Sequence, residues 1–493
     1  MSGANKNLPI VSAETLDPED WHDVRRQGHR MLDDMFDFLE HLRERPVWQP
    51  IPPTARDAFQ QPLPQTAHSL ESVHATFIRD ILPYAIGNAH PGFMGWVHGG
   101  GTPVGMLADM LSAGLNANLG GRDQIPVEVE RQVTRWMSEL FGFPESASGL
   151  FVTGTSMANL IAVWVARTAA LGTEVRAAGV AAGGKQLTAY ASAGAHSCIA
   201  QAMDLAGFGR EALRVVPMND RFQLDIAKLE SVIAEDRQRG FTPFFIAATA
   251  GSVDAGAIDD LAALAEIAAR EALWFHIDGA YGALAMLAPE IAPRLKGIER
   301  ADSIAFDFHK WGQVPYDAGF ILIKDSAMHY ATFASPAAYL QRVASGMAAG
   351  SPWPCDFGPD LSRGFRALKA WFTIQVYGAE KLGAIIAKTC GLAQYLQQRI
   401  EAEPVLELLA PVSLNIVCFG YRGADTDTLN AAIAVAVQNS GIAAPSTTTI
   451  HGRLAIRAAI VNHRTQIRDI DNLFEAVVRF GRLLNQQRNE HER

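Results

Sequence analysis

Cysteine is scarce in this sequence of 493 residues: Cys198, Cys355, Cys390 and Cys418 stand far apart, with no CxxC pair among them. That spacing argues against a zinc site and against a disulfide framework. Long apolar runs are missing too, and no stretch reaches the roughly 18 residues that make a membrane-spanning helix. There is no basic tract, and 42 lysines and arginines face 52 acidic residues, for a formal charge of −10. Such a chain is a poor partner for nucleic acid or for an anionic membrane surface. The opening MSGANKNLPIVSAETLDPEDW lacks the basic and apolar regions of a secretory signal. No internal repeat or low-complexity segment is visible. What remains is 48% hydrophobic and 19% charged, an ordinary globular composition at about three times the usual domain length. A soluble cytoplasmic enzyme with more than one domain is the expected class.

Residues 1–90 read as an N-terminal helical and extended arm. Within it, the segment Asp17 to Leu42 carries Met31, Leu32, Met35, Phe36, Phe38, Leu39 and Leu42 at helical spacing. Asp17 and Pro18 suit its N-cap and first helical position. The following RPVWQPIPPTARDAFQQPLPQ is too rich in proline for a helix or a central strand and reads as an extended arm, wrapped over a partner subunit. Residues 91–385 read as a large domain. From Gly149 onward, seven apolar strand candidates (GLFVTG, QLTAYAS, ALRVVP, PFFIAATA, LWFHID, SIAFDF and GFILIK) alternate with helices. Strands that are nearly all apolar imply a mainly parallel sheet covered on both faces, hence an α/β class. A long helix from about Ser362 leads into residues 386–493, read as a smaller α+β domain with strands near LNIVCFGY and LAIRAAIV.

The strand SIAFDF delivers Phe308, His309, Lys310 and Trp311 at its carboxyl end, where open α/β sheets place their ligands. A lysine between histidine and tryptophan is an odd choice for solvent, whereas a buried amine has a lowered pKa and can attack a carbonyl. Upstream, LWFHIDGAYGA ends a strand in Asp278, and small residues such as Ala280 follow, letting a flat ligand lie against the backbone. A lone carboxylate there can equally be a helix cap. GLFVTGTSMANLIAV reads as strand, polar loop and helix, so Gly154, Thr155 and Ser156 would offer N–H groups and hydroxyls to a phosphate, although any N-cap looks similar. His196 follows another strand in SAGAH, and Thr249 ends PFFIAATAGS. A phosphate cradle, an imidazole face, a carboxylate and a lysine together match pyridoxal 5′-phosphate (PLP), with no metal called for. A nicotinamide cofactor fits poorly, because GxGxxG is absent and the lysine goes unexplained.

These blocks resemble the group II PLP-dependent decarboxylases, the family of aromatic L-amino acid, glutamate, histidine and cysteine sulfinate decarboxylases. HIDGAYG and DFHKW look like that family's HVDAAYxG and xxHKW blocks, and VTGTSMANLIA is similar to its phosphate loop. HPGFMGWV, ERQVTRWMSELFGFP, RALKAWF and IRAAIVNHRT extend the likeness, in the same order, over most of the chain. The resemblance implies the type I, aspartate aminotransferase-like fold. It also implies decarboxylation of a small-molecule L-amino acid to the amine and CO₂, through an external aldimine and a quinonoid. Lys310 would be the Schiff-base lysine and Asp278 the partner of the pyridinium nitrogen. His196 would stack on one ring face with Ala280 on the other, while Gly154, Thr155 and Ser156 hold the phosphate. His309 would sit beside the lysine, and Thr249 near the ring or its hydroxyl. A homodimer with a shared active site is implied as well. A catalytically silent relative is the rival reading, opposed by the intact Lys310, Asp278 and His196.

The substrate side departs from the family pattern. Trp96 and His98, with Gly99 to Gly101, replace the aromatic-rich segment of animal aromatic decarboxylases. Phe308 stands where relatives often have proline, alanine or glycine, and is expected to narrow the site. Arg122 lies where a partner's loop enters in relatives; it reads either as a ligand for an acidic side chain or as an exposed loop arginine. Relatives also carry a mobile loop whose tyrosine protonates the substrate carbon. Ser345 to Arg363 contains no tyrosine, and Phe357 is read at that place. Phenylalanine there goes with aldehyde synthases, in which oxygen removes the amine after decarboxylation. Amine is the expected main product, with His309 or a tyrosine elsewhere as proton donor, and aldehyde the alternative.

Overall fold

The computed structural model describes residues 15–335, 343–423 and 426–491, so the first 14 residues of the expected arm lie outside the described residues. The chain divides into two compact units, Met1–Leu42 with Pro50–Ala85, and Arg43–Gln49 with Ile86–Arg493. In the first, a helix runs from Trp21 to Glu40 and begins later than Asp17 and Pro18 suggest. Its cap is Asp20, whose carboxylate accepts from the His22 and Asp23 N–H groups. Asp17 is held instead in a turn by the Thr15 hydroxyl. The proline-rich stretch is not wholly extended, since Pro53–Asp57 is a short helix. Proline suits its first position, where the missing N–H has no helical partner to lose. His74, buried on the helix Leu70–Thr76, meets Gln27 at 3.0 Å and Asp34 at 3.3 Å.

Among the described residues, every strand lies in the second unit. They are β1 (Phe93–Met94), β2 (Ser148–Val152), β3 (Leu187–Ser192), β4 (Leu213–Val216), β5 (Thr242–Thr249) and β6 (Trp274–Asp278). Then follow β7 (Ser303–Asp307), β8 (Gly319–Ile323), β9 (Leu406–Leu408), β10 (Ile416–Tyr421), β11 (Ala444–Ile450) and β12 (Arg453–Ala459). The seven strands legible in the sequence form one sheet, in the order β2-β8-β7-β6-β5-β3-β4. From β4 to β7 the strands run parallel, whereas β8 is antiparallel to both its neighbours. Every residue of β3, β7 and β8 is buried, the mark of a sheet covered on both faces. Phe141, Phe151, Phe306, Phe308 and Phe320 interlock nearby, with paired ring centroids 5.0 to 5.8 Å apart.

The smaller sheet has the order β1-β11-β12-β10-β9. It recruits β1 from well upstream, as a parallel partner of β11. The expected boundary at residue 385 falls inside the helix Arg366–Ala402. That helix bends at Gly378 (φ 73°), a backbone conformation glycine adopts without strain. Among the described residues no helix is long and apolar enough to cross a membrane.

Candidate active site

Three neighbouring strands end side by side. Thr249 closes β5, Asp278 closes β6 in register with it, and Asp307 closes β7. The helix Thr155–Leu171 starts against them, with Gly154 as its N-cap, and its electropositive end faces the strand ends. Gly319 on β8 lets the Gly154 turn come this close, because a Cβ at Gly319 would lie 2.4 Å from the Gly154 Cα. A cavity of about 390 Å³ lies here. Gly154, Thr155, Ser156, His196, Thr249, Asp278, Ala280, His309 and Lys310 all line it, together with Trp96 and His98.

Lys310 is not a bare buried amine. Its Nζ sits 2.9 Å from Asp307 Oδ2, and Asp307 Oδ1 accepts the Thr155 N–H at 2.8 Å, so one carboxylate ties the lysine to the helix start. His309 is 5% exposed, and burial pushes its pKa down to about 4. Its Nδ1 accepts the Ala318 N–H at 3.0 Å, which leaves the proton of the neutral ring on Nε2, 3.6 Å from Asp307. Asp278 accepts from the Ala280 N–H on Oδ1 and from Asn159 Nδ2 on Oδ2, both at 3.1 Å. Burial pushes the Asp278 pKa up; Lys310, these two donors and His196 pull it back. His196 is exposed to the cavity side, its Nδ1 accepting from the Cys198 N–H at 3.2 Å.

The cavity also contains residues that sequence reasoning missed. Asp307 is a strand-end carboxylate of the same kind as Asp278, and that position was its signal. Tyr316 lies in the VPYD turn just after the HKW block. Its ring is 4.2 Å from that of His309 and edge-on to His98 at 5.7 Å. Asn159 is fully buried in an apolar helix, where an amide is costly unless it is partnered.

One expectation, for Phe308, is corrected, and two further residues lie outside this cavity. Phe308 is 3% exposed, packs among the five interlocked phenylalanines and does not line the cavity, so it does not narrow the site. Its ring turns into the core because the strand's apolar face continues one residue past β7. Arg122 stacks its guanidinium on Trp353 at 4.5 Å and lines a separate recess with Met347 and Leu361. Phe357 packs on His329 and Tyr330, with ring centroids 5.1 and 5.9 Å away, and lines another recess again. Nor is the turn that carries it a loose loop. Asp356 accepts the Trp353 N–H, and Arg363 pairs with Glu130 in the core.

A mainly parallel seven-stranded sheet, with a lysine, a buried carboxylate and a helix N-terminus around one cavity at its strand ends, defines a PLP-dependent enzyme of the type I fold. Thr155 Oγ1 is buried there without a hydrogen-bond partner, as a ligand for a phosphate oxygen would be. The chain matches the family described as the pyridoxal-dependent decarboxylase conserved domain over residues 52–422. It is 31% identical to the aromatic-L-amino-acid decarboxylase of Bacillus atrophaeus over 457 residues, 90% of this chain and 92% of that protein. It is 28% identical to the phenylacetaldehyde synthase of Arabidopsis thaliana over 465 residues, 91% of this chain and 94% of that one. Its fold matches that of Oryza sativa TDC, solved with PLP and tryptamine, with a TM-score of 0.86 at 24% identity, covering 95% of this chain and 100% of the other. The chain belongs to the pyridoxal-dependent decarboxylases; it is a carboxy-lyase, and its cofactor is PLP.

Proposed function

We propose that this enzyme converts an aromatic L-amino acid to its amine and CO₂, with Lys310 carrying the cofactor. The observation behind this reading is the convergence of three anchors on one cavity: an amine, a buried carboxylate and a helix N-terminus. They match the aldehyde, ring nitrogen and phosphate of a single flat molecule. Bound PLP supplies the electron sink for carboxylate loss.

The chain's own residues do the rest. Asp307 holds the Lys310 amine in place, and the Gly154 to Ser156 turn receives the phosphate. Asp278 would hold a proton on the ring nitrogen of the bound cofactor, and His196 and Ala280 would lie against its ring. Trp96, His98 and Tyr316 build an aromatic wall suited to a flat substrate side chain; Trp96 is half-exposed, and burial keeps His98 neutral. The carbon that loses CO₂ must regain a proton. Tyr316, in the cavity and against His309, is the candidate to give it, while Phe357 lines a different recess of this chain. That difference favours amine over aldehyde.

The same reading includes a cytoplasmic homodimer. The helix Trp21–Glu40 buries none of its residues despite its apolar face. Met110, Leu111 and Leu115 on the helix Pro103–Leu115 are likewise exposed, an apolar surface that calls for cover. Sedimentation of a fully active monomer would refute the dimer. For the activity, the enzyme is loaded with PLP, reduced with borohydride and digested, and CO₂, amine, aldehyde and peroxide are measured with a panel of L-amino acids. The label is expected on the Lys310 peptide, and Lys310→Ala should abolish turnover. Labelling of another lysine, or no CO₂ from any aromatic amino acid, would overturn the reading.

A further inference from the structure

Asp278 ends a line of polar side chains that the proposed chemistry leaves unused. Trp274, His276 and Asp278 are alternate residues of β6 and so share one face of the strand. Ser303 on β7 and Asn159 on the helix Thr155–Leu171 fill the gaps between them. Trp274 Nε1 lies 2.8 Å from Ser303 Oγ, and Ser303 Oγ lies 2.8 Å from His276 Nδ1. His276 Nε2 lies 2.8 Å from Asn159 Oδ1, and Asn159 Nδ2 lies 3.1 Å from Asp278 Oδ2. Ser303, His276 and Asn159 are each 0% exposed.

The direction of this line is set at both ends. An indole N–H can only donate, and an ionised carboxylate can only accept. Ser303 therefore accepts from Trp274 and donates to His276 Nδ1. His276, neutral because burial lowers its pKa to about 3, carries its proton on Nε2 and donates to Asn159. Asn159 passes an amide N–H to Asp278. In the opposite sense a protonated Asp278 would donate to a flipped Asn159, and His276 Nδ1 would donate to Ser303. Two donors would then point at the Ser303 oxygen, leaving its own proton no acceptor along the line. The Trp274 indole thus weighs against this reversal without forbidding it, since the Ser303 oxygen has lone pairs for two donors but its proton then leaves the line. Burial alone favours a neutral Asp278, and the other groups facing it are Lys310, His196, the Ala280 N–H and the Cys198 thiol at 4.0 Å.

We propose that Trp274, Ser303, His276 and Asn159 are positioning residues acting through Asp278. Together they form a donor line that holds its carboxylate ionised and aimed at the pyridine nitrogen of PLP. The proposal rests on the assignment of Asp278 to that nitrogen. Each hydrogen bond in such a line polarises the next, so its effect reaches the carboxylate from the far end of the strand.

The test uses the holoenzyme loaded with PLP labelled with ¹⁵N in the ring, whose nitrogen shift at fixed pH reports ring protonation. A purely structural role would not move that signal. Ser303→Ala should shift it toward the unprotonated form and lower kcat several-fold, up to about tenfold, the scale of one neutral hydrogen bond, with little change in KM. Trp274→Phe, which keeps the ring packing and removes only the indole donor, should shift it the same way by less. It also covers the case in which Ser303→Ala fails to fold. Asp278→Asn is the reference, expected to remove the protonated signal. If Asp278→Asn leaves the signal unmoved, the placement of the nitrogen is wrong and the proposal falls with it. If Asp278→Asn moves the signal while Trp274→Phe and any folded Ser303→Ala do not, the placement stands and the donor line is overturned.

Discussion

At the ends of β5, β6 and β7 the side chains of the cavity leave the backbone at positions fixed by sheet register, with Thr249 opposite Asp278, Asp278 opposite Ala305, and Asp307 two residues further along β7. Between residues 343 and 365 no ladder exists, and the chain is held by single ties. Trp353 Nε1 donates to the Ala349 carbonyl, Asp356 accepts the Trp353 N–H, and Arg363 reaches Glu130 and the carbonyls of Leu119 and Phe151. A wall built by register places side chains to a fraction of an ångström with many redundant bonds. A segment built by ties depends on each of them. Substitutions in the first should therefore show in the chemistry, and substitutions in the second in stability.

The largest effect should come from the wall. Asp278→Asn keeps the shape and loses the charge, and should lower kcat on the order of 10²–10³, as loss of a preorganised electrostatic partner does. Single-turnover CO₂ release on PLP-loaded protein measures it, and near-normal turnover would reduce Asp278 to a helix cap. In the segment, Arg363→Met leaves Glu130 buried and unpaired, and should destabilise the fold by about 3–5 kcal/mol. Denaturant midpoints would show this, with much of the loss recovered when Glu130→Met is added. An unchanged midpoint would break the comparison, because the segment would then have no critical tie. The smallest effect concerns the product. Tyr316→Phe should raise the share of aldehyde and peroxide formed under air, while Phe357→Tyr should leave it as it was. A swing toward amine in Phe357→Tyr would mean that Phe357 reaches a cavity it does not line here.

The same division explains what could be read from the sequence. The strands β2 to β8 announce themselves as apolar runs, and their carboxyl ends are where polar or small residues interrupt the run, so Lys310, Asp278 and Thr249 stood out. β1 has two residues and β11 reads APSTTTI, so neither carries an apolar signature. Phe308 was judged by its place in a block of similar sequence, not by which face of the sheet it meets. Arg122 and Phe357 lie in segments whose path is set by partners far away in sequence, such as Arg363 with Glu130, and no local spacing encodes that. Asn159 was visible only as a letter in the phosphate-loop pattern; its partner His276 belongs to a different strand.

The pairing of β1 with β11 draws the walls of the cavity from two different sheets. Lys310, Asp278 and Asp307 are carried by the large sheet. Trp96 and His98 follow directly from β1 and are thus hung on the smaller one. Arg457, on β12, fastens this arrangement: it donates to the Gly95 carbonyl at 2.8 Å and to the Val253 carbonyl at 2.9 Å, Val253 being a lining residue of the cavity. The segment after β1 is tied to the large sheet as well, since the Gly99 N–H donates to the His309 carbonyl at 3.1 Å, so an adjustment in the C-terminal sheet would be felt on both sides of the cavity. Substitutions on β11 or β12, more than a hundred positions from Lys310, are therefore expected to reach this cavity through the backbone of β1.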